Sequence, residues 1–214
     1  MNRSSRPLLS FALVGILSAG LSAQEPPVPV AITQKLDVEK ARVYVATLQP
    51  HAPSRSTGHS TNRLLLYLDD GTMTLKVGEA APERYTFKRG DLRWRPASGA
   101  YIAENTSDHP IRILEVDLKG QPSGPTPSTP LDAPLVDPAH YTVALDNEQV
   151  RVLRVHFGPR EKGARHEHIL NRVVVYMNDQ GSRKADDVGL SGAAVHAEQN
   201  DSDVPNDRIA VELK

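Results

Sequence analysis

Two tandem all-β units of the jelly-roll kind, the second shortened, are what this sequence of 214 residues predicts, and three observations carry the prediction. The first is an internal repeat. Glu39-x-x-Arg42-Val43, Pro50, His59, Asn62-Arg63 and Tyr67 recur 109 residues later as Glu148-x-x-Arg151-Val152, Pro159, His168, Asn171-Arg172 and Tyr176. The second is a further matched block, Asn105-x-Ser107-Asp108-x-Pro110 against Asn200-x-Ser202-Asp203-x-Pro205, at an offset of 95, so the later copy lacks 14 residues in between. The third is periodicity: short β-branched or alternating runs broken by turn residues, with no helical period sustained over three turns. A duplication of this size means two similar domains, and closely spaced short strands in each imply antiparallel sandwiches or barrels.

Along the chain, Arg3 and Arg6 precede the apolar run Leu8 to Leu17 and the small residues Ser18-Ala19-Gly20-Leu21-Ser22-Ala23. That order reads as a secretory signal peptide over residues 1–23, cleaved after Ala23. The apolar core is shorter than the roughly 20 residues that span a bilayer, so a membrane anchor is the weaker reading. A Pro-rich lead, Pro26 to Pro29, comes before the first domain at 36–119. Val43-Tyr44-Val45, Leu64 to Leu68, Thr72 to Leu75 and Ile111 to Val116 are its strands, separated by Asp69-Asp70-Gly71, Arg89-Gly90-Asp91 and Pro96. Residues 120–139 hold six prolines among Ser, Thr and Gly and read as an extended linker. The second domain, 140–214, has strands at Val150 to Val155 and Arg172 to Tyr176. The polar stretch Gln180 to Ala194 replaces what Gly71 to Pro96 supplies in the first, roughly a hairpin.

Without residues 1–23 the chain keeps 23 basic against 26 acidic side chains, a formal charge of −3, and it has no large basic block. Nucleic acid is therefore not an expected partner, nor is a membrane once the signal peptide is gone. The absence of cysteine excludes both disulfides and a lipidated-Cys anchor, which leaves a periplasmic or secreted protein.

Among the eight histidines, His166-Glu167-His168 stands apart. On a strand, His166 and His168 point to one face, with Arg172 in the same parity, and two imidazoles so placed can grip one metal ion. His196 lies on the approach to the final strand, where a sheet folding back could bring it opposite the pair. His51, His109, His140 and His156 are isolated and read as surface or strand-end residues. Trp94 reads as packing on a sheet, and Tyr101 as lining an apolar pocket. No Gly-rich phosphate loop, G-x-S-x-G or H-E-x-x-H pattern occurs, and no catalytic residue can be named.

At these positions the chain resembles the cupin superfamily, whose motifs are G-x5-H-x-H-x3,4-E-x6-G and G-x5-P-x-G-x2-H-x3-N. In the second copy Arg160 stands in the first Gly position, His166-x-His168 follows five residues on, and Arg172 stands where the family has glutamate. His196-x3-Asn200 fits the end of the second motif, with Ser191 and Ala193 in place of its Pro and Gly. In the first copy Gly90-x5-Pro96-x-Ser98-x2-Tyr101-x3-Asn105 follows the second motif, and Thr57-Gly58-His59-x3-Arg63 keeps one His of the ligand set. The chain looks like a bicupin. The resemblance implies two β-barrels, a divalent metal (Fe, Mn, Zn, Ni or Cu) on His166, His168 and His196, and a metal-free first barrel that serves packing, dimerisation or ligand binding. It further implies an oxygenase, isomerase or decarboxylase acting on a small organic acid, with Arg172 on the carboxylate. The alternative is a non-catalytic binding or structural module with a vestigial metal site, and a homodimer is left open.

Overall fold

The computed structural model describes residues 30–214; the expected signal peptide, residues 1–23, lies outside the described residues. The first unit has nine strands: β1 (Val30–Asp37), β2 (Ala41–Leu48), β3 (Ser54–Ser56), β4 (Arg63–Tyr67), β5 (Gly71–Val77), β6 (Glu83–Phe87), β7 (Leu92–Arg95), β8 (Tyr101–Asn105) and β9 (Ile111–Leu118). They build a five-stranded sheet, β1-β2-β9-β4-β7, facing a four-stranded sheet, β3-β8-β5-β6. After a short helix, α1 (Ala133–Val136), come β10 (Tyr141–Asp146), β11 (Val150–Phe157), β12 (His166–His168), β13 (Arg172–Tyr176), β14 (Val188–Ser191), β15 (Ala194–His196) and β16 (Asn206–Leu213). These form a second five-stranded sheet, β10-β11-β16-β13-β14, and a two-stranded sheet, β12-β15. The chain is all-β, as expected. Within each unit the facing sheets are separate and do not hydrogen-bond into closed barrels.

The duplication extends to irregularities. Pairing of β1 with β2 slips between Gln34 and Leu36, and pairing of β10 with β11 slips between Val143 and Leu145, at matching positions of the repeat. The shortening has a structural identity too, because the four-stranded sheet contains the hairpin β5–β6 and the two-stranded sheet has no counterpart to it. Strand β1 starts at Val30, ahead of residue 36. Its side chains are mostly exposed, so no alternation marked it in the sequence.

The uninterrupted apolar runs of β4 and β13 have their explanation in burial on both faces. Leu65 and Tyr67 point into the first unit, together with Met73, Phe87 and Ile113. Leu64 and Leu66 point the other way and join Val43, Val116, Val150, Val152, Val173, Val175, Ile209 and Val211 in one shared core. The two five-stranded sheets therefore pack face to face, each unit burying the outer face of the other.

Residues 120–139 are not a free spacer. Asp132 makes a parallel bridge to Glu167 on β12, the Glu167 amide donates to the Leu131 carbonyl at 2.7 Å, and Ala133 is fully buried. The segment thus runs along the outer edge of β12. On the other side, β15 lacks the strand that β5 provides for β8.

Candidate metal centre

Alternation along β12 turns His166 and His168 inward, both buried, and sends Glu167 outward to the Thr129 hydroxyl. Strand β15 pairs antiparallel with β12 in the register that sets His196 directly across from His166. One ring nitrogen from each of His166, His168 and His196 lies within 4.8 Å of the others, so the shortened unit still brings the three together. Among the described residues no other group of three His, Cys, Asp or Glu side chains converges in this way.

The hydrogen bonds around these rings fix their tautomers. His166 Nδ1 lies 2.9 Å from the Ala164 carbonyl, which can only accept, so Nδ1 carries the hydrogen. His168 Nδ1 lies 3.2 Å from Oε1 of Glu212, which is fully buried. Burial opposes ionisation of Glu212, but hydrogen bonds from His168 and Arg151 outweigh it and hold the carboxyl below its usual range. An ionised carboxylate only accepts, so His168 Nδ1 also carries the hydrogen. In neutral rings both Nε2 atoms are then bare lone pairs, and they face each other across 3.2 Å. Burial holds His166 and His196 below the usual imidazole value, and the neighbouring rings add to the effect. His196 Nε2 is buried with no hydrogen-bond partner. Two opposed lone pairs and an orphaned third nitrogen suit a cation, so the donor set fits a divalent metal.

Around the cluster, Arg151 donates to Glu212 and, through both terminal nitrogens, to Asp132 at 2.8 Å, which ties the histidines to residues 120–139. The Tyr141 ring packs 4.6 Å from the ring of His166, and its hydroxyl donates to Glu198 at 2.8 Å; Glu198 also pairs with Arg208. Arg172 is buried on β13 and donates to the Gly192 carbonyl at 2.7 Å. Although it lies across from Glu212 in the register of β13 and β16, that carboxylate is occupied by Arg151 and His168, and Arg172 makes no ion pair among the described residues. Burial pulls its guanidinium below the usual value.

The first unit shows the contrast. His59 is tied to the Thr61 carbonyl at 2.7 Å and to the Ser98 hydroxyl at 3.3 Å, with the Tyr101 ring 6.1 Å away. Arg63, the counterpart of Arg172, pairs with Glu115 at 2.9 Å and Asp117 at 3.4 Å. His51, His140 and His156 each meet a carboxylate, His109 meets the Asp70 carbonyl, and Trp94 packs against the shared core. Reasoning from sequence missed Glu212, Arg151, Tyr141, Glu198 and Arg208. One signal was present for Glu212: an acid inside an apolar final strand, with Asp117 at the matching place of the first copy.

No family profile matches the chain, and no curated protein is similar to it in sequence. Solved structures are similar in fold. AerE from Microcystis aeruginosa shares 10% identity over 89% of this chain and 95% of its own, with a TM-score of 0.64. A Cupin 2 conserved barrel domain protein from Leptotrichia buccalis shares 11% over 89% and 92%, with a TM-score of 0.58. An oxalate decarboxylase variant from Bacillus subtilis shares 14% over 85% and 75%, with a TM-score of 0.59. The likeness is one of fold, which this chain shares with the Cupin 2 conserved barrel domain protein, AerE and the oxalate decarboxylase.

Proposed function

We propose that the second unit is a metal centre for a small organic acid, with one divalent ion (Fe, Mn, Zn, Ni or Cu) on His166, His168 and His196 and the acid's carboxylate on Arg172. The observation that carries the reading is the pair of bare Nε2 atoms facing each other at 3.2 Å beside the orphaned His196 nitrogen. When bound, the metal would supply a Lewis acid or a site for O2, which is chemistry of the oxygenase, isomerase or decarboxylase type. The chain's own groups prepare the site. Ala164 and Glu212 hold two imidazoles in the tautomer that frees Nε2. Arg172, with no carboxylate of its own, presents a planar fork to an oxyanion. The open edge of β15 gives access, and the Tyr141 ring closes one flank of His166. Export to the periplasm or beyond, implied by residues 1–23, belongs to the same proposal.

One observation favours a second reading, a non-catalytic binding module. Both carboxylates near the cluster, Glu198 and Glu212, are committed to arginine partners, so neither stands free as a general base. Metal analysis of protein purified without added metal tests the metal centre that the first reading requires. The expected content is about one ion per chain, set by the single three-His cluster. It should be lost in the double variant His166→Ala/His168→Ala and kept in His59→Ala. Equal loss from His59→Ala would place the metal in the other unit and overturn the assignment.

A further inference from the structure

The second unit departs from the first at a group of inward positions that the metal centre does not use. By the repeat offset of the final block, Glu198, Asn206 and Arg208 stand where the first copy has Ala103, Ile111 and Ile113, all in its buried apolar core. That core is closed by Met73 of β5 and Phe87 of β6, the hairpin that the second unit lacks. Shortening thus uncovers the start of β16, where polar residues replace apolar ones. Alternation fixes their direction. Ile209, Val211 and Leu213 face the core shared between units, so Arg208 turns inward with Ala210 and Glu212. Arg172, by contrast, has Arg63 at its place in the first copy and belongs to what the two copies share.

Contact with solvent does not account for Arg208. Its side chain is only 15% exposed, and Nη1 pairs with Glu198, whose other oxygen takes the Tyr141 hydroxyl at 2.8 Å. Nε and Nη2 are both buried with no hydrogen-bond partner. These two N–H groups lie on one edge of a rigid plane, so covalent geometry alone brings them to one point, at the spacing of a carboxylate's two oxygens. Other arginines of the chain show the same arrangement completed. Arg63, Arg112 and Arg151 each meet two carboxylates, whereas Arg208 meets one among the described residues. Leaving two buried donors of a charged group unmet is costly, and an acceptor from outside the chain removes the cost.

We propose that Arg208 is an anion subsite of the second unit, taking a small carboxylate on its Nε–Nη2 edge while Glu198 and Tyr141 hold the guanidinium from the other side. The subsite is separate from Arg172, which lies four positions away in the register of β13 and β16, and it needs no metal.

Acetate is the probe, titrated calorimetrically into the full chain after metal has been removed by chelation. Saturable binding of about one acetate per chain is expected, weakened about tenfold or more in Arg208→Lys, which keeps a charge for Glu198 but loses the fork. Arg172→Ala should leave this binding unaltered. In the proton–nitrogen spectrum of the unsubstituted protein, the arginine Nε–H resonance that Arg208→Lys lacks should shift as acetate saturates. If Arg208→Lys does not fold, Glu198→Gln decides: it removes a competing negative charge but keeps an acceptor for Nη1, so acetate should bind several-fold tighter. No saturable binding, a loss in Arg172→Ala in place of Arg208→Lys, or unchanged or weaker binding in Glu198→Gln would overturn the proposal. Metal content is measured separately, so failure of this subsite and failure of the metal centre are distinguishable.

Discussion

Arg160 takes a left-handed backbone, φ 63°, at the place where the cupin motif has glycine, and His51, its counterpart 109 residues earlier, does the same with φ 51°. Both copies thus adopt, at a residue with a side chain, a conformation that favours glycine, at a strain that a Cβ imposes in this region. The turn persists because its backbone is bonded: the His51 amide donates to the Asn105 carbonyl at 2.8 Å and the Arg160 amide to the Ser202 carbonyl at 3.2 Å. The side chains contribute little in return, since Arg160 meets Asp203 in an exposed pair. Arg160→Gly is therefore expected to stabilise the protein by about 1 kcal/mol, read as a higher thermal midpoint. A lower midpoint would mean that the exposed pair outweighs the strain.

At the scale of single strands, β4 and β13 begin with the same residue in different company. On β4, Arg63 satisfies two carboxylates from β9; on β13, Arg172 finds its acid already taken. The acids of β9 give Arg63 a structural role, and the proposed anion-binding role is kept for Arg172. Arg63→Ala should cost roughly 2–4 kcal/mol of stability, between the exposed and buried limits, because it strands the half-buried Glu115 and leaves Asp117 with only the Thr61 and Tyr44 hydroxyls. Arg172→Ala should leave the melting temperature nearly unchanged. It should weaken binding of a carboxylate probe such as acetate to the metal-loaded protein by about 1.5–3 kcal/mol. Unchanged acetate affinity in a destabilised Arg172→Ala protein would reverse the assignment. The same strand-level view shows why Glu212 escaped notice: a lone acid in an apolar strand declares its partner only once β11, β12 and β16 are side by side.

For the molecule as a whole, the shared core makes each unit part of the other's fold. The outer face of the second unit, with Val150, Val152, Val173, Val175, Ile209 and Val211, has the first unit's five-stranded sheet as its cover. Polar contacts fasten the seam. Asp186, in a left-handed turn with φ 70°, receives Arg89 at 2.7 Å and Arg112 at 2.6 Å; Asn62 donates to Gln149 at 2.6 Å, and Arg154 to the Gly90 carbonyl at 2.8 Å. Segment 140–214 expressed alone would expose that apolar face, lack both a disulfide and a hairpin, and lose Asp132 from Arg151. It should be insoluble, partly unfolded or dependent on metal for its fold, since each uncovered Val or Ile forfeits about 1.5–3 kcal/mol. A cooperative melt of the isolated, metal-free segment near that of the full chain would show the units to be independent.

The sequence by itself determined what is local or repeated: short alternating strands, two copies with one shortened, and His166, His168, His196 and Arg172 as the residues to watch. Strand parity and repeat offsets are properties of the chain, so they can be read without a partner. Only the tertiary structure decided what depends on who lies opposite. It showed that the unbroken apolar runs of β4 and β13 are buried on both sides because the second face meets the other copy. It showed that residues 120–139 edge β12, and that the missing hairpin still leaves His196 in register with His166. The acid for Arg172 was taken by its neighbours, while Arg63 kept its own. Such pairings join residues far apart in sequence, and their free energies depend on burial and geometry that no single strand carries.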